Sequence, residues 1–159
     1  MIRPADLIAA ARHLLSAGRG AARDAHLRRA VSTAYYAAFH ALAGACAEAV
    51  VGPPGKGVGP EARDQVYRAL DHGPAKEACI AASAKDAPFA VGVREFAGVF
   101  AKLQLERHAA DYDPGRRLTP TEAAKLVEEA EAAIRALRAA PARDRRELAV
   151  RVLFRRRAR

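Results

Sequence analysis

Four residues near the end of one amphipathic segment carry the clearest chemistry in this chain: Arg107, His108, Asp111 and Tyr112. Val93, Phe96, Phe100 and Leu103 make an apolar stripe at helical spacing, and the next position on that stripe is Arg107. A guanidinium is thereby aimed toward a bundle interior or a subunit seam. Asp111 follows at i+4, so one reading is a helical ion pair of roughly 0.2–0.5 kcal/mol. His108 and Tyr112 repeat the interval on the adjoining face. A guanidinium holds a phosphate by two parallel hydrogen bonds, while a neighbouring imidazole or phenol moves a proton or orients an oxygen. The second reading is therefore phosphodiester chemistry.

A second polar seam, Arg29, Ser32, Tyr36 and His40, runs beside an apolar face that includes Val31 and Tyr35. It either lines a cleft or reflects tyrosines that pack their rings and satisfy their hydroxyls beside an ordinary, partly buried His40. Metal chemistry has no comparable pattern. His13, His26, His40, His72 and His108 form no H-x-x-x-H or H-E-x-x-H motif, and neither a metal nor a cofactor is expected. Gly55-Lys56 imitates part of a phosphate-binding loop, but Gly57 stands where Ser or Thr should follow, and a helix rather than a strand precedes it.

The elements that must position these residues are helices. The chain has 159 residues, 41 of them alanine, with no Trp and only 6% aromatic residues, a balance favouring helix over sheet. Pro4, Leu7, Ile8, Ala11, Leu14 and Leu15 predict a short helix stopped by Gly18 and Gly20. Asp24 opens a second, whose stripe runs about seven turns from Leu27 to Ala49. The Gly- and Pro-rich run 52–60 is a loop. A third helical stretch covers roughly 61–83, broken near Gly73-Pro74, and a fourth covers 91–112. Thr119, Pro120 and Glu122 supply the cap, the first-turn proline and the first-turn acid of a fifth helix reaching about Ala140. The expectation is an all-α, antiparallel bundle of four to five helices over residues 1–140.

Residues 141–159 form the expected basic C-terminal extension. Positions 143–159 hold eight arginines against Asp144 and Glu147, a local charge of +6 within a total of +9. The apolar residues there are Leu148, Val150, Val152, Leu153 and Phe154. Two readings are open: an arm that contacts nucleic acid or an acidic partner, or a helix docked on its own bundle or on a second subunit. Cys46 and Cys79 read as free buried thiols. No uninterrupted apolar run reaches membrane-spanning length and the N-terminus carries early charges, so a cytoplasmic protein without a membrane partner is expected.

Three segments together resemble the HEPN superfamily: Arg29-Ala-Val-Ser-Thr-Ala-Tyr-Tyr-Ala-Ala-Phe-His40, Val66-Tyr-Arg-Ala-Leu-Asp-His-Gly-Pro-Ala-Lys76 and Glu106-Arg-His-Ala-Ala-Asp-Tyr-Asp-Pro114. They are similar to its bacterial branch with a YYAAFH-type second helix and an R-x-x-A-D-Y signature, over roughly residues 5–138. The resemblance implies a helical bundle, often a homodimer, in which many members are metal-independent endoribonucleases of toxin–antitoxin or defence systems. It implies that Arg107 binds the scissile phosphate and stabilises transition-state charge. The signature's histidine should follow after four to six residues, and Tyr112 stands at the first of those positions.

The resemblance thus implies a composite site of Arg107, Asp111, Tyr112 and His108, with Arg29, Tyr36, His40 and His72 as substrate-binding residues and RNA as the expected partner. It further implies a nucleotidyltransferase-type antitoxin that modifies a tyrosine near the motif, for which Tyr112 is the candidate. A non-catalytic module that binds RNA, a nucleotide or such a partner remains the alternative, and a DNA-binding regulator using the basic tail is the third reading.

Overall fold

The computed structural model describes residues 2–55 and 58–154, so Lys56 of the Gly55-Lys56 pair and positions 155–159 of the basic tail lie outside the described residues. It contains seven helices: α1 (Pro4–Ser16), α2 (Ala21–Val51), α3 (Pro60–Arg68), α4 (His72–Ala82), α5 (Val91–Tyr112), α6 (Pro120–Ala139) and α7 (Ala142–Leu153). Among the described residues there is no strand. The all-α expectation holds, with more helices than the four to five anticipated.

The central element is α2, which packs against α1, α3, α5, α6 and α7. Its alanines explain how one helix serves so many neighbours. Ala30, Ala34, Ala37, Ala38, Ala43 and Ala47 are buried and small enough to let other backbones approach, while Leu27, Val31, Tyr35 and Leu42 fill the space between them. By length and composition α2 is long and apolar enough to cross a bilayer, and these same apolar residues are buried in the bundle.

The stretch 61–83 breaks earlier than expected, at residues 69–71. Gly73 and Pro74 belong to the first turn of α4, where a proline's missing N–H costs nothing because those donors have no intrahelical acceptor. The anticipated stripe of α5 is buried at all four positions, Val93, Phe96, Phe100 and Leu103. Gly92 brings α5 close to α6, since a Cβ there would lie 3.0 Å from the Ala136 carbonyl oxygen. The start of α6 is set by a reciprocal cap: Glu122 N–H donates to Thr119 Oγ1 at 3.1 Å, and Thr119 N–H donates to Glu122 Oε2 at 2.8 Å.

Residues 142–153 dock as a helix on their own bundle. Leu148, Ala149 and Val152 join the core and α7 packs on α2 and α4, whereas Val150 and Phe154 face outward. Two adjacent polar residues close the ends of other helices. Asp144 Oδ2 accepts from Ala90 N–H, the N-cap of α5, at 2.6 Å, and Arg145 Nη1 donates to the Arg138 and Ala140 carbonyls at the end of α6.

Candidate functional site

Arg107 lies one turn beyond Leu103, where the buried face of α5 meets α2. Its side chain is 18% exposed. Nη2 donates to the Tyr36 hydroxyl at 3.0 Å, and Cζ sits 5.7, 5.5 and 5.9 Å from the ring centres of Tyr35, Tyr36 and Tyr112. Three aromatic faces around one guanidinium provide a cation–π setting that favours a charge water cannot fully solvate. Asp111 Oδ2 is 3.0 Å from Arg107 Nε, yet the buried Nε–H makes no aligned hydrogen bond. The pair is therefore held by charge rather than as a bidentate fork. Burial opposes the Arg107 charge, and the Tyr36 hydrogen bond with Asp111 and Tyr112 outweighs it, holding the guanidinium above its ordinary range.

Ser32, fully buried on α2, donates from Oγ to Asp111 Oδ2 at 3.2 Å. Tyr35, fully buried on the same helix, shares a 2.5 Å hydrogen bond with His72 Nδ1 at the start of α4. Burial pushes the Tyr35 phenol up, and the neighbouring Arg107 only partly offsets this. The His72 ring stacks on Phe39 with centres 4.2 Å apart and meets Tyr36 edge-on at 6.1 Å. Burial and then Arg107 lower the His72 pKa, against a smaller upward pull from Asp71. Gln104 of α5 donates from Nε2 to the His72 carbonyl at 3.1 Å, leaving its buried Oε1 unpartnered.

The end of α5 is fastened by Arg28. Its Nη1 donates to the Ala110 and Asp113 carbonyls, each at 2.9 Å, Nη2 donates to the Arg116 carbonyl, and Nε donates to Asp24 Oδ2 at 2.7 Å. The Ala110 carbonyl is one that the helix terminus leaves without an intrahelical donor, and those of Asp113 and Arg116 belong to the turn that follows, where Asp113 also accepts from Arg116 N–H. The Arg28 bonds also set the position from which Arg107 and Asp111 project.

No family model, curated protein or solved structure matches this chain. The site's chemistry therefore rests on its own geometry. Among the described residues, no group of three or more His, Cys, Asp or Glu side chains is arranged to hold a metal ion.

Of the residues singled out in the sequence, the structure brings together Arg107, Asp111, Ser32, Tyr36, His72 and the ring of Tyr112. The others are placed elsewhere. His108 is exposed on the outer face of α5, its ring 5.0 Å from Tyr112, itself 66% exposed. Arg29 is exposed, and it is Arg28 that crosses to α5. His40 is held at Nδ1 by the Tyr67 hydroxyl of α3, with its pKa lowered by burial and then by His72. It faces a separate cavity of about 270 Å³ bounded also by Arg63, Arg138 and Arg145. A larger groove of about 670 Å³ between α4 and α7 includes none of the Arg107 cluster.

Sequence reasoning placed Tyr35 on the apolar face and allowed for a satisfied hydroxyl, but did not identify His72 as its partner. The available signal was that a phenol on a core-facing stripe must find a partner for its hydroxyl. For Arg28 the signal was Asp24 at i−4, but nothing local showed that its guanidinium would reach α5.

Proposed function

We propose that this chain is a HEPN-like protein that acts on RNA by gripping a backbone phosphate with Arg107, and that its reaction is metal-independent endoribonucleolytic cleavage. The observation that carries this reading is a cationic guanidinium enclosed by Tyr35, Tyr36 and Tyr112 with the His72 ring beside it. Arg107 spends Nη2 on Tyr36, while Nη1 has no hydrogen-bond partner among the described residues and can serve a ligand oxygen. The Tyr36 oxygen accepts from Arg107, so its O–H is free to donate to the same ligand. Such donors stabilise charge that builds on a phosphorane oxygen as the 2′-oxygen bonds to phosphorus, its proton passing to water, and the bond from phosphorus to the 5′-oxygen breaks, without a metal ion.

In this proposal two copies pair so that their Arg107 side chains face one phosphodiester, as the HEPN resemblance implies. Tyr112, exposed at the helix end, supplies the proton donor or the phosphate contact. Toxin–antitoxin biology and a nucleotidyltransferase-type partner acting on Tyr112 belong to the same reading.

A second reading, binding without cleavage, is favoured by Asp111, whose carboxylate lies 3.0 Å from Arg107 Nε and offsets the charge that catalysis would use. Incubation with labelled RNA in EDTA separates the two. Cleavage by the native protein that disappears in folded Arg107→Ala supports the nuclease; RNA retention without cleavage supports the binding module; neither cleavage nor retention removes both.

A further inference from the structure

The hydrogen bond between Tyr35 and His72 has a direction that the surroundings decide. Tyr35 is 0% exposed and its hydroxyl owns one proton, which must be donated to an acceptor or be left buried and unpaired at a cost of about 1–3 kcal/mol. His72 Nδ1, at 2.5 Å, is the hydrogen-bond partner this hydroxyl has among the described residues. If Nδ1 carried the proton instead, the Tyr35 proton would have no acceptor. The hydroxyl therefore donates, and Nδ1 accepts.

An imidazole that accepts at Nδ1 and is neutral must carry its proton on Nε2. Neutrality is enforced from several sides. Burial penalises the imidazolium, Arg107 of α5 places a permanent cation nearby, and His72 opens α4, where the helix N-terminus disfavours further positive charge. The remaining groups facing the ring are Tyr36 and Phe39 of α2, with His40 one turn further along α2 and Asp71 immediately before α4, while Gln104 of α5 bonds the His72 backbone carbonyl. Asp71 alone favours the imidazolium, and its pull is the smallest.

We propose that Tyr35 is a positioning residue that locks His72 in the Nε2–H tautomer, making His72 a neutral hydrogen-bond donor to a phosphate-ester oxygen held at Arg107. The ligand half of this statement rests on the phosphate reading above; the tautomer half does not. His72 then serves as a fixed donor rather than as a base, because the nitrogen that would accept a substrate proton is already occupied. The other histidine–tyrosine pair, His40 and Tyr67, is less enclosed, since Tyr67 is only partly buried.

Two-bond proton–nitrogen correlation spectra of the uniformly labelled full chain at neutral pH test the tautomer directly. The expected result is an unprotonated Nδ1 and a protonated Nε2 for His72, with a slowly exchanging Tyr35 hydroxyl proton correlated to the His72 ring. Tyr35→Phe should shift both nitrogens toward the averaged values of a mixed tautomer, while Tyr36→Phe leaves them in place. A protonated Nδ1 in the native protein, or identical His72 shifts in folded Tyr35→Phe, overturns the lock. The native spectrum decides the tautomer even if that variant fails to fold. Titration with inorganic phosphate should then move the His72 Nε2–H resonance in the native protein and not in Arg107→Ala. If the tautomer is as expected but phosphate moves nothing, the donor role falls together with the phosphate reading, and the lock stands alone.

Discussion

Ser32 Oγ donates to Asp111 Oδ2 across the α2–α5 interface at 3.2 Å, so the carboxylate nearest Arg107 is held from a second helix. Asp111 is thereby fixed as a competitor for the guanidinium that a phosphate would use. Asp111→Asn retains a hydrogen-bonding oxygen while removing the negative charge. It should tighten phosphate or RNA binding several-fold, measured by titration at constant ionic strength. Weaker binding would mean instead that the carboxylate's main contribution is to aim Arg107.

Acid should destabilise the fold through His72 and His40. Both have folded-state pKa values below the ordinary 6.5, because burial penalises the imidazolium and each has a cationic or ionisable neighbour. Below about pH 6.5 the unfolded chain takes up protons that the folded chain resists, so stability falls with pH until the folded-state values are reached. Urea midpoints should drop between about pH 7.5 and pH 5.5. His72→Gln should flatten that slope, and a slope unchanged in that variant would show that His72 does not contribute to it.

Arg28 is expected to matter more than its exposed neighbour Arg29. Arg28→Met keeps the apolar stem but loses the donors to three carbonyls and Asp24, and it should cost about 1–3 kcal/mol in chemical denaturation. Arg28→Lys should recover only part of this, since one ammonium cannot reproduce the fork. Arg29→Met should stay within about 0.5 kcal/mol of the native protein.

Two glycines of α5 should respond in opposite senses to alanine. A Cβ at Gly98 meets only Ser83 Cβ at 3.6 Å, an ordinary contact, so Gly98→Ala should gain about 0.5–1 kcal/mol from helix propensity. At Gly92 the new carbon would lie 3.0 Å from the Ala136 carbonyl oxygen, part of the α6 backbone. Gly92→Ala should therefore lower the thermal midpoint, and a rise would mean that α5 and α6 slide apart easily.

Removing α7 should damage the bundle. A chain ending at Pro141 would expose the surface that covers Leu148, Ala149 and Val152 and lose both helix-end contacts of Asp144 and Arg145. It should bind a hydrophobic dye and melt at lower temperature. A chain ending at Phe154 keeps those contacts. Only this shorter deletion can report whether residues 155–159 contribute to nucleic-acid retention.

Helical periodicity located α5 and α6 closely because their apolar spacing, prolines and capping residues are local signals. The division of 61–83 was misplaced for an equally local reason: a proline near a helix start and one after a helix end look alike in sequence. The docking of α7 could not be read from its composition, since Leu148 and Val152 face the core while Val150 and Phe154 face outward, and only the partner surface decides which side is which. Within the site, the i,i+4 pairing of Arg107 with Asp111 was visible along one helix. The Tyr36, Ser32 and His72 contacts depend on how three helices meet, and no spacing within a single segment encodes their distances.

The two helix-end contacts of α7 also order events during synthesis. Ala90 and its acceptor Asp144 are 54 residues apart, so the start of α5 stays uncapped long after that helix has been made. Until residues 142–153 emerge, a nascent chain carries wet apolar surface on α2 and α4 that α7 later covers. Ribosomal stalling before that point would therefore release a sticky, incompletely closed chain, the kind of species that chaperones retain and proteases cut.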